Sequence, residues 1–532
     1  MNMKRIILYF WKENAQLCLI LIGTSVTQIL ASLMNVSMLN ALIKGNTALF
    51  VISLGKMLSF YLLFLLFTYW QIQKTSRIKQ KMSTHIREEM TKKLAMTSYN
   101  EFHSHQVGTY ASWLTNDLTM IESAGFDSFY QIIAGGISAV LSIFTLLSFH
   151  WSLAVFSLFM GGILISLPKL LQKRMTAASS AVAKENESFL AEVSELLAGY
   201  DTLYVFHLLL MIVKRTVTAS KKLGNKKNQQ AKVMAKVAIT GASGNIVGQL
   251  GLLAVTGYLV LIEKLTVGSI TATGNLGGNI FNTLGNLTQQ IGAVQSTKPL
   301  FDKFENIQYS KPIVTKPLPL KSGFELKNVS FCYGEKKIIN NRTQQFQLGK
   351  KYALIGNSGS GKTTLVNILN GKLREYTGTI LFNQQDLKTI SLDTLHQEVL
   401  YLDQSPYLFT GTVRDNLTLG EDYADKDLQE ALAQADLLEM IMKLPQGLET
   451  PVGENGRLFS GGQKQRLALA RGFLRKKKII LVDEGTANLD EESAVKIEQT
   501  LMKQTDVLII MITHHLREKI RAELDEIVDL SN

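Results

Sequence analysis

The stretch GNSGSGKTT, Gly356 to Thr364, decides how the rest of the chain is read. It fits G-x-x-x-x-G-K-[ST], a phosphate-binding loop. Tyr352-Ala353-Leu354-Ile355 before it is a short apolar run that ends at a glycine, as a buried strand does. Thr363 to Leu369 after it reads as a helix, closed by Asn370-Gly371. Gly356, Gly359 and Gly361 let the backbone turn its N–H groups toward a polyphosphate, and the new helix adds its positive end. Lys362 supplies a charge for phosphate and Thr363 a hydroxyl for Mg²⁺. A Gly/Ser-rich turn with a chance lysine is the plainer alternative; the strand before and the helix after disfavour it.

Composition says where such a loop is carried. The chain has 532 residues, 46% of them hydrophobic, a mean hydropathy of +0.11 and a net charge of +12. That hydropathy points to membrane segments, and the charge leaves nucleic acid, anionic lipid or a membrane protein's basic loops as explanations. Two cysteines, Cys18 and Cys332, exclude a disulfide framework and offer no zinc spacing. The first apolar run is too long for a cleavable signal and lacks a small-residue cleavage site.

Met1 to Asn14 is short, basic and aromatic, as an interfacial helix would be. Six apolar stretches follow, near Ala15–Leu42, Ala48–Gln73, Phe129–Phe149, Trp151–Leu171, Val233–Ile262 and Val267–Val294. Each is long enough to cross a hydrocarbon core of about 30 Å as a helix. Lys74 to Lys93 and Lys169 to Lys232 are rich in Lys and Arg, whereas Lys44 and Lys264 are the main charges of the opposite loops. This bias places both termini on the cytoplasmic side of a multi-pass protein and accounts for the charge without nucleic acid. The two basic segments read as helices extended below the membrane, with bends expected near Tyr110–Glu122 and Gly199–Phe206. The expected division is a transmembrane domain over 1–306, a linker over 307–320 that holds Pro312, Pro317 and Pro319, and an α/β domain over 321–532.

An ordered set surrounds the phosphate loop in that last domain. Tyr333 lies upstream in FCYG. Gln404 follows the run Val399–Leu402. Ser460-Gly461-Gly462-Gln463 opens a helix. Ile479–Val482 ends in Asp483-Glu484, which places one carboxylate to hold Mg²⁺ and the next to polarise an attacking water. Asp490 follows, and a second buried run, Val507–Ile512, leads to Thr513-His514.

This order resembles the nucleotide-binding domain of the ATP-binding cassette (ABC) transporters. With six spans in front, the chain resembles an exporter-type half-transporter along essentially its whole length. The expected fold is a helical six-span membrane domain with long cytoplasmic extensions, followed by an α/β P-loop NTPase domain with a helical subdomain. The resemblance implies an ATP hydrolase, with ATP and Mg²⁺ as its cofactors, in a bacterial cell membrane. Residue by residue, Tyr333 corresponds to the aromatic that stacks on adenine. Gly356, Asn357, Ser358, Gly359, Ser360, Gly361, Lys362, Thr363 and Thr364 correspond to Walker A. Gln404 corresponds to the Q-loop glutamine, and Ser460, Gly461, Gly462 and Gln463 to the signature. Asp483 and Glu484 complete Walker B, Asp490 belongs to the D-loop, and His514 is similar to the switch histidine. Glu484, His514 and Gln404 are thus the expected catalytic residues, and Thr363, Gln404 and Asp483 the expected metal ligands.

The resemblance further implies two cassettes facing head to tail, each ATP lying between one chain's Walker A and the other's signature. The intact motifs favour a homodimer over a pair of unlike chains. The two bends resemble coupling helices that rest on the cassettes, against the Gln404 loop and Pro451–Gly456. Phe459 stands where the family has Leu, ANLD replaces the usual D-loop, His515 stands where exporters often carry Arg, and the chain ends short of the family's C-terminal helices. An importer on the same fold, or an ATP-dependent regulator or channel, is the alternative; no sequence feature supports either. The sequence does not specify the transported substrate.

The sixth span carries one more pattern. Thr271, Asn275, Asn279, Asn282, Asn286 and Gln289 recur at steps of three and four, on one face of a helix, while Leu276, Ile280, Leu284, Leu287, Ile291 and Val294 take another. Amides facing lipid would lack partners, so the stripe must face protein or water. Bonding between helices is one reading. A hydrated cavity that meets a polar part of the cargo, with Lys56 facing the same space, is the expected one.

Overall fold

The computed structural model describes residues 2–166, 172–307, 319–484, 491–513 and 517–531. The chain divides into two compact units, and the division does not follow chain order. One unit holds Met1–Ala95 and His105–Ile307; the other holds Gln308–Asn532 together with Met96–Ser104.

In the first unit, α1 (Met3–Tyr9) starts at Asn2, whose side chain accepts from the Arg5 N–H, and ends at Phe10. Helices α2 (Trp11–Ile43) and α3 (Thr47–Ala95) follow. The short helix α4 (Tyr99–His103) belongs to the other unit. Helix α5 (Val107–Phe149) returns the chain to the first unit, followed by α6 (Trp151–Ser166), α7 (Gln172–Ala198), α8 (Tyr200–Val205), α9 (Leu210–Leu261) and α10 (Ser269–Ser296). Among the described residues α2, α3, α5 and α9 are long and apolar enough to cross a membrane. Helix α6 is apolar but only 16 residues long, and the rest of its expected span, 167–171, lies outside the described residues. Helix α10 has 28 residues, length enough to span, but its amides and glycines dilute its hydropathy. Helices α9 and α10 meet backbone to backbone: a Cβ on Gly241 would lie 2.6 Å from the Gly285 carbonyl oxygen. Small residues permit this approach, which in lipid replaces the hydrophobic drive as the source of cohesion.

The second expected bend is present as α8 and its flanking turns. The first is displaced. Tyr110–Glu122 does not turn; it lies inside α5, where π-helical turns span Trp113–Asp117 and Ile121–Phe126. Tyr110, Trp113, Leu118, Ile121 and Phe126 are all buried there. The extra residue in each π turn changes the helix phase, which accommodates the spacing of this apolar face. Asp117 forms an ion pair with Lys303 at 3.2 Å instead of breaking the helix. The chain turns earlier, where the Ser98 hydroxyl caps α4 by accepting from the Glu101 N–H.

The second unit carries two sheets. Strands β1 (Phe324–Tyr333), β2 (Lys336–Phe346), β4 (Thr377–Phe382) and β5 (Gln385–Asp386) form an antiparallel sheet in the order β2-β1-β4-β5. Strands β3 (Lys351–Ile355), β6 (Val399–Leu402), β7 (Ile479–Asp483), β8 (Leu508–Ile512) and β9 (Glu526–Asp529) form a parallel one in the order β6-β7-β8-β3-β9. Every residue of β7 and β8 is buried, as expected of central parallel strands covered on both faces. Their carboxyl ends form the edge at which such sheets bind ligands. The expected linker, 307–320, lies mostly in 308–318, outside the described residues.

Candidate functional site: a phosphate cradle at the strand ends

Strand β3 runs out at Gly356, whose φ of +144° begins a loop in which Gly359 and Gly361 also have positive φ, at +82° and +93°. A Cβ on Gly361 would sit 3.0 Å from Ile338, so both conformation and space call for glycine there. Helix α11 (Lys362–Leu369) then begins, with Thr364 packed inward and Thr363 exposed. The Lys362 side chain is buried and folds back over the loop, its ammonium donating to the carbonyls of Gly356 at 2.9 Å and Asn357 at 3.0 Å. Asn357, Ser358 and Gly359 are exposed at the tip. The buried Ser360 hydroxyl has no partner among the described residues, an unusual state for a polar atom held inside a loop.

A second group of side chains meets the foot of this loop. Asp483, the last residue of β7, is buried, and each of its carboxylate oxygens receives a hydroxyl: Thr363 at 3.1 Å on one, Tyr401 of β6 at 2.8 Å on the other. Burial raises the Asp483 carboxyl above the ordinary aspartate range, partly opposed by those two bonds. Glu484 follows in the left-handed region, φ +49°, uncommon for a residue with a Cβ and typical of functional sites. The Gln404 side-chain amide donates to the Glu484 carboxylate at 3.3 Å, and the buried Gln465 amide donates to the Gln404 carbonyl at 3.1 Å. Gly356–Thr364, Asp483, Glu484 and Gln404 therefore form one connected set.

Seven expected residues stand apart from this set or outside the described residues. Tyr333 is 53% exposed at the end of β1, edge-on to Phe331 at 4.9 Å. Asp490 and His514 lie outside the described residues, although Thr513, just before the latter, is buried. Ser460 to Gln463 start α12 (Gly461–Leu474) with a reciprocal cap: the Ser460 hydroxyl accepts from the Gln463 N–H, and the Gln463 side chain accepts from the Ser460 N–H. Ser460 and Gly461 are exposed, which leaves this helix start open to a group from outside.

Sequence reading passed over Tyr401 and Lys372. Tyr401 looks like one more apolar residue of β6, yet its ring also lies 3.8 Å from the Lys372 ammonium, and Lys372 lies 5.0 Å from the ring of Tyr99 in α4. A hydroxylated aromatic in a short strand is a weak signal, since it reads equally well as packing.

A glycine cradle, a buried lysine and paired acids at parallel strand ends, attached to a unit of long apolar helices, define a membrane-associated P-loop ATPase. The model of the ABC transporter transmembrane region matches residues 16–283, and the ABC transporter model matches residues 339–487. The chain belongs to the ABC transporter family, with the build of an exporter-type half-transporter that couples ATP hydrolysis to transport. It is 27% identical over 475 residues to the uncharacterized ABC transporter ATP-binding protein YwjA of Bacillus subtilis, covering 87% of this chain and 81% of that one. It is 28% identical over 452 residues to an ATP-dependent lipid A-core flippase of Haemophilus influenzae, covering 82% and 76%. A bacterial Atm1-family ABC exporter solved with ATP bound has the same fold, with a TM-score of 0.86, 20% identity, and coverage of 98% of this chain and 95% of that one.

Proposed function

We propose that two copies of this chain form an exporter in which each ATP is held between Gly356–Thr364 of one copy and Ser460–Gln463 of the other. The observation that carries this reading is the connected set Lys362–Thr363–Asp483–Glu484–Gln404, with the Ser360 hydroxyl, which has no partner among the described residues, inside the loop. The donors fit Mg²⁺: the Thr363 hydroxyl, the Asp483 carboxylate and the Gln404 carbonyl oxygen of the side chain are hard oxygen ligands. Bound there, Mg²⁺ would neutralise charge on the phosphates. Glu484, held by Gln404, orients and polarises the attacking water. Lys362 draws on the phosphates, and Tyr333 stacks on the base. His514 and Asp490 complete the site in the closed pair. The exposed Ser460 and Gly461 are what a second copy would meet.

Export needs a cargo surface, and α10 supplies it in this reading. Asn275, Asn282, Asn286 and Gln289 are exposed, whereas Leu276, Ile280 and Phe281 are buried. Half-buried amides of α9 adjoin this face, with Asn245 donating to Asn282 at 2.5 Å and Gln249 to Asn245 at 2.8 Å. Such a surface takes a polar, hydrogen-bonding part of a cargo. Both termini are on the cytoplasmic side, from the Lys/Arg bias.

The test is to purify the chain expressed alone in mild detergent. A dimer with Mg²⁺-dependent ATPase activity is expected, and ATP-driven uptake into inside-out vesicles fixes the direction. A monomer without ATPase activity overturns the homodimer, and ATP-driven efflux from such vesicles overturns export.

A further inference from the structure

Both oxygens of the Asp483 carboxylate are spoken for, and the donor on each side has a different origin. Thr363 belongs to the phosphate loop, so its bond at 3.1 Å ties the carboxylate to the nucleotide side. Tyr401 belongs to β6, and its bond at 2.8 Å fixes the other oxygen and with it the plane of the group. The phenol ring of Tyr401 is in turn held by a cation, the Lys372 ammonium at 3.8 Å from its centroid. Lys372 is half-buried and shares its charge between two rings, the second being Tyr99 at 5.0 Å. A lysine flanked by two aromatic faces attracts both through their quadrupoles and couples the position of one to the other.

Tyr99 sits on α4, and the chain around α4 makes this contact informative. Met96–Ser104 packs as part of the ATP-binding unit, although the chain on both sides, up to Ala95 and from His105, belongs to the unit of long helices. By covalent continuity alone, a shift of α3 or α5 pulls on Tyr99. The contacts then run Tyr99, Lys372, Tyr401, Asp483, with no gap wider than the 5.0 Å ring contact.

We propose that Lys372 and Tyr401 are positioning residues that let α4 set the orientation of the Asp483 carboxylate, and so the Mg²⁺ requirement of ATP binding. The proposal rests on the reading of Asp483 as a metal-holding residue. Groups that orient a metal-holding carboxylate act on metal affinity rather than on nucleotide affinity as such. That separates a positioning role from mere packing, which would weaken binding with and without metal alike.

The experiment uses the full chain carrying Glu484→Gln in lipid nanodiscs, so that bound nucleotide is not turned over. Equilibrium binding of a fluorescent ATP analogue is measured in EDTA and across a Mg²⁺ titration. Tyr401→Phe keeps the ring on Lys372 and removes only the hydroxyl; the Mg²⁺ midpoint should rise about 10-fold with binding in EDTA unchanged. Tyr99→Leu should shift the midpoint the same way by about two- to fivefold, the worth of one partly exposed cation–π contact. Tyr376→Phe is the control. That buried tyrosine also lies under a lysine, Lys388 at 4.3 Å, but its hydroxyl has no partner among the described residues; its midpoint should not move. A Tyr401→Phe midpoint equal to that of the parent, or an equal loss with and without Mg²⁺, overturns the positioning role. A shift in Tyr401→Phe with none in Tyr99→Leu overturns the relay from α4. If binding to the parent ignores Mg²⁺ altogether, the reading of Asp483 fails and the relay falls with it.

Discussion

The polar groups of the ATP-binding unit and those of α10 are held in opposite ways. Lys362, Asp483 and Thr364 are buried at 5%, 7% and 8% exposure, and Lys362 and Asp483 bond to named partners within the same chain. The α10 amides are mostly exposed, and they bond to other amides, with Gln28 donating to Asn279 at 3.5 Å and Asn245 to Asn282 at 2.5 Å. A buried charge without partners is costly, so Lys362 and Asp483 are each met by groups of their own chain. An amide face in a membrane protein bears the same penalty unless protein or water meets it, and the proposed export reading has water and cargo meet the exposed amides.

If the cradle is preformed, removing one charge from it should hurt chemistry and spare binding. Glu484→Gln should keep ATP affinity and slow single-turnover hydrolysis by roughly 10²–10⁴-fold, the usual worth of a positioned base. Hydrolysis at near wild-type rate would remove Glu484 from the site. Where α9 and α10 touch through backbone, the membrane unit should be as intolerant as a core. Gly241→Leu forces a side chain against the Gly285 carbonyl and should destabilise the unit by about 1–3 kcal/mol, read as a lower melting temperature in nanodiscs. An unchanged melting temperature would place the two helices further apart. The smallest effect belongs to a cap. The Asp415 carboxylate accepts from the Thr412 backbone N–H at 2.8 Å, which holds its carboxyl below the ordinary aspartate range. A lowered carboxyl contributes stability that is complete above its unfolded value, about 4, and is lost as pH falls through the folded one. Asp415→Asn should thus cost a little thermal stability of the ATP-binding unit at pH 7, and the gap from the parent should close below pH 4. A gap independent of pH would assign the effect to something other than the charge.

How much of this was legible in the sequence follows from the solvent each part faces. In water, phosphate chemistry needs particular residues at particular spacings, so Gly356–Thr364, Gln404 and Asp483-Glu484 could be read singly, and the structure joins them. In lipid the requirement is apolarity over a length, so spans could be placed only as runs. The bend expected near Tyr110–Glu122 is helix instead, with Tyr110, Trp113, Leu118 and Ile121 buried and Asp117 paired with Lys303. The real turn, at Ser98, carried only a serine cap as its signal. The α10 stripe was legible because an amide every three or four residues has one geometric meaning. Tyr401 was not, because its bond to Asp483 depends on β6 and β7 lying side by side, which no local pattern states.

The proposed export reading requires that ATP held at the cradle change the exposure of the α10 amides. Single cysteines at Asn275, Asn282 and Asn286, in a chain lacking Cys18 and Cys332, test it directly with a water-soluble thiol reagent. These positions should label, cysteines at Ile280 and Leu284 should not, and labelling at Asn282 should change when ATP is trapped by Glu484→Gln. Inert amide positions beside reactive Ile280 and Leu284, or labelling indifferent to trapped ATP, would contradict it.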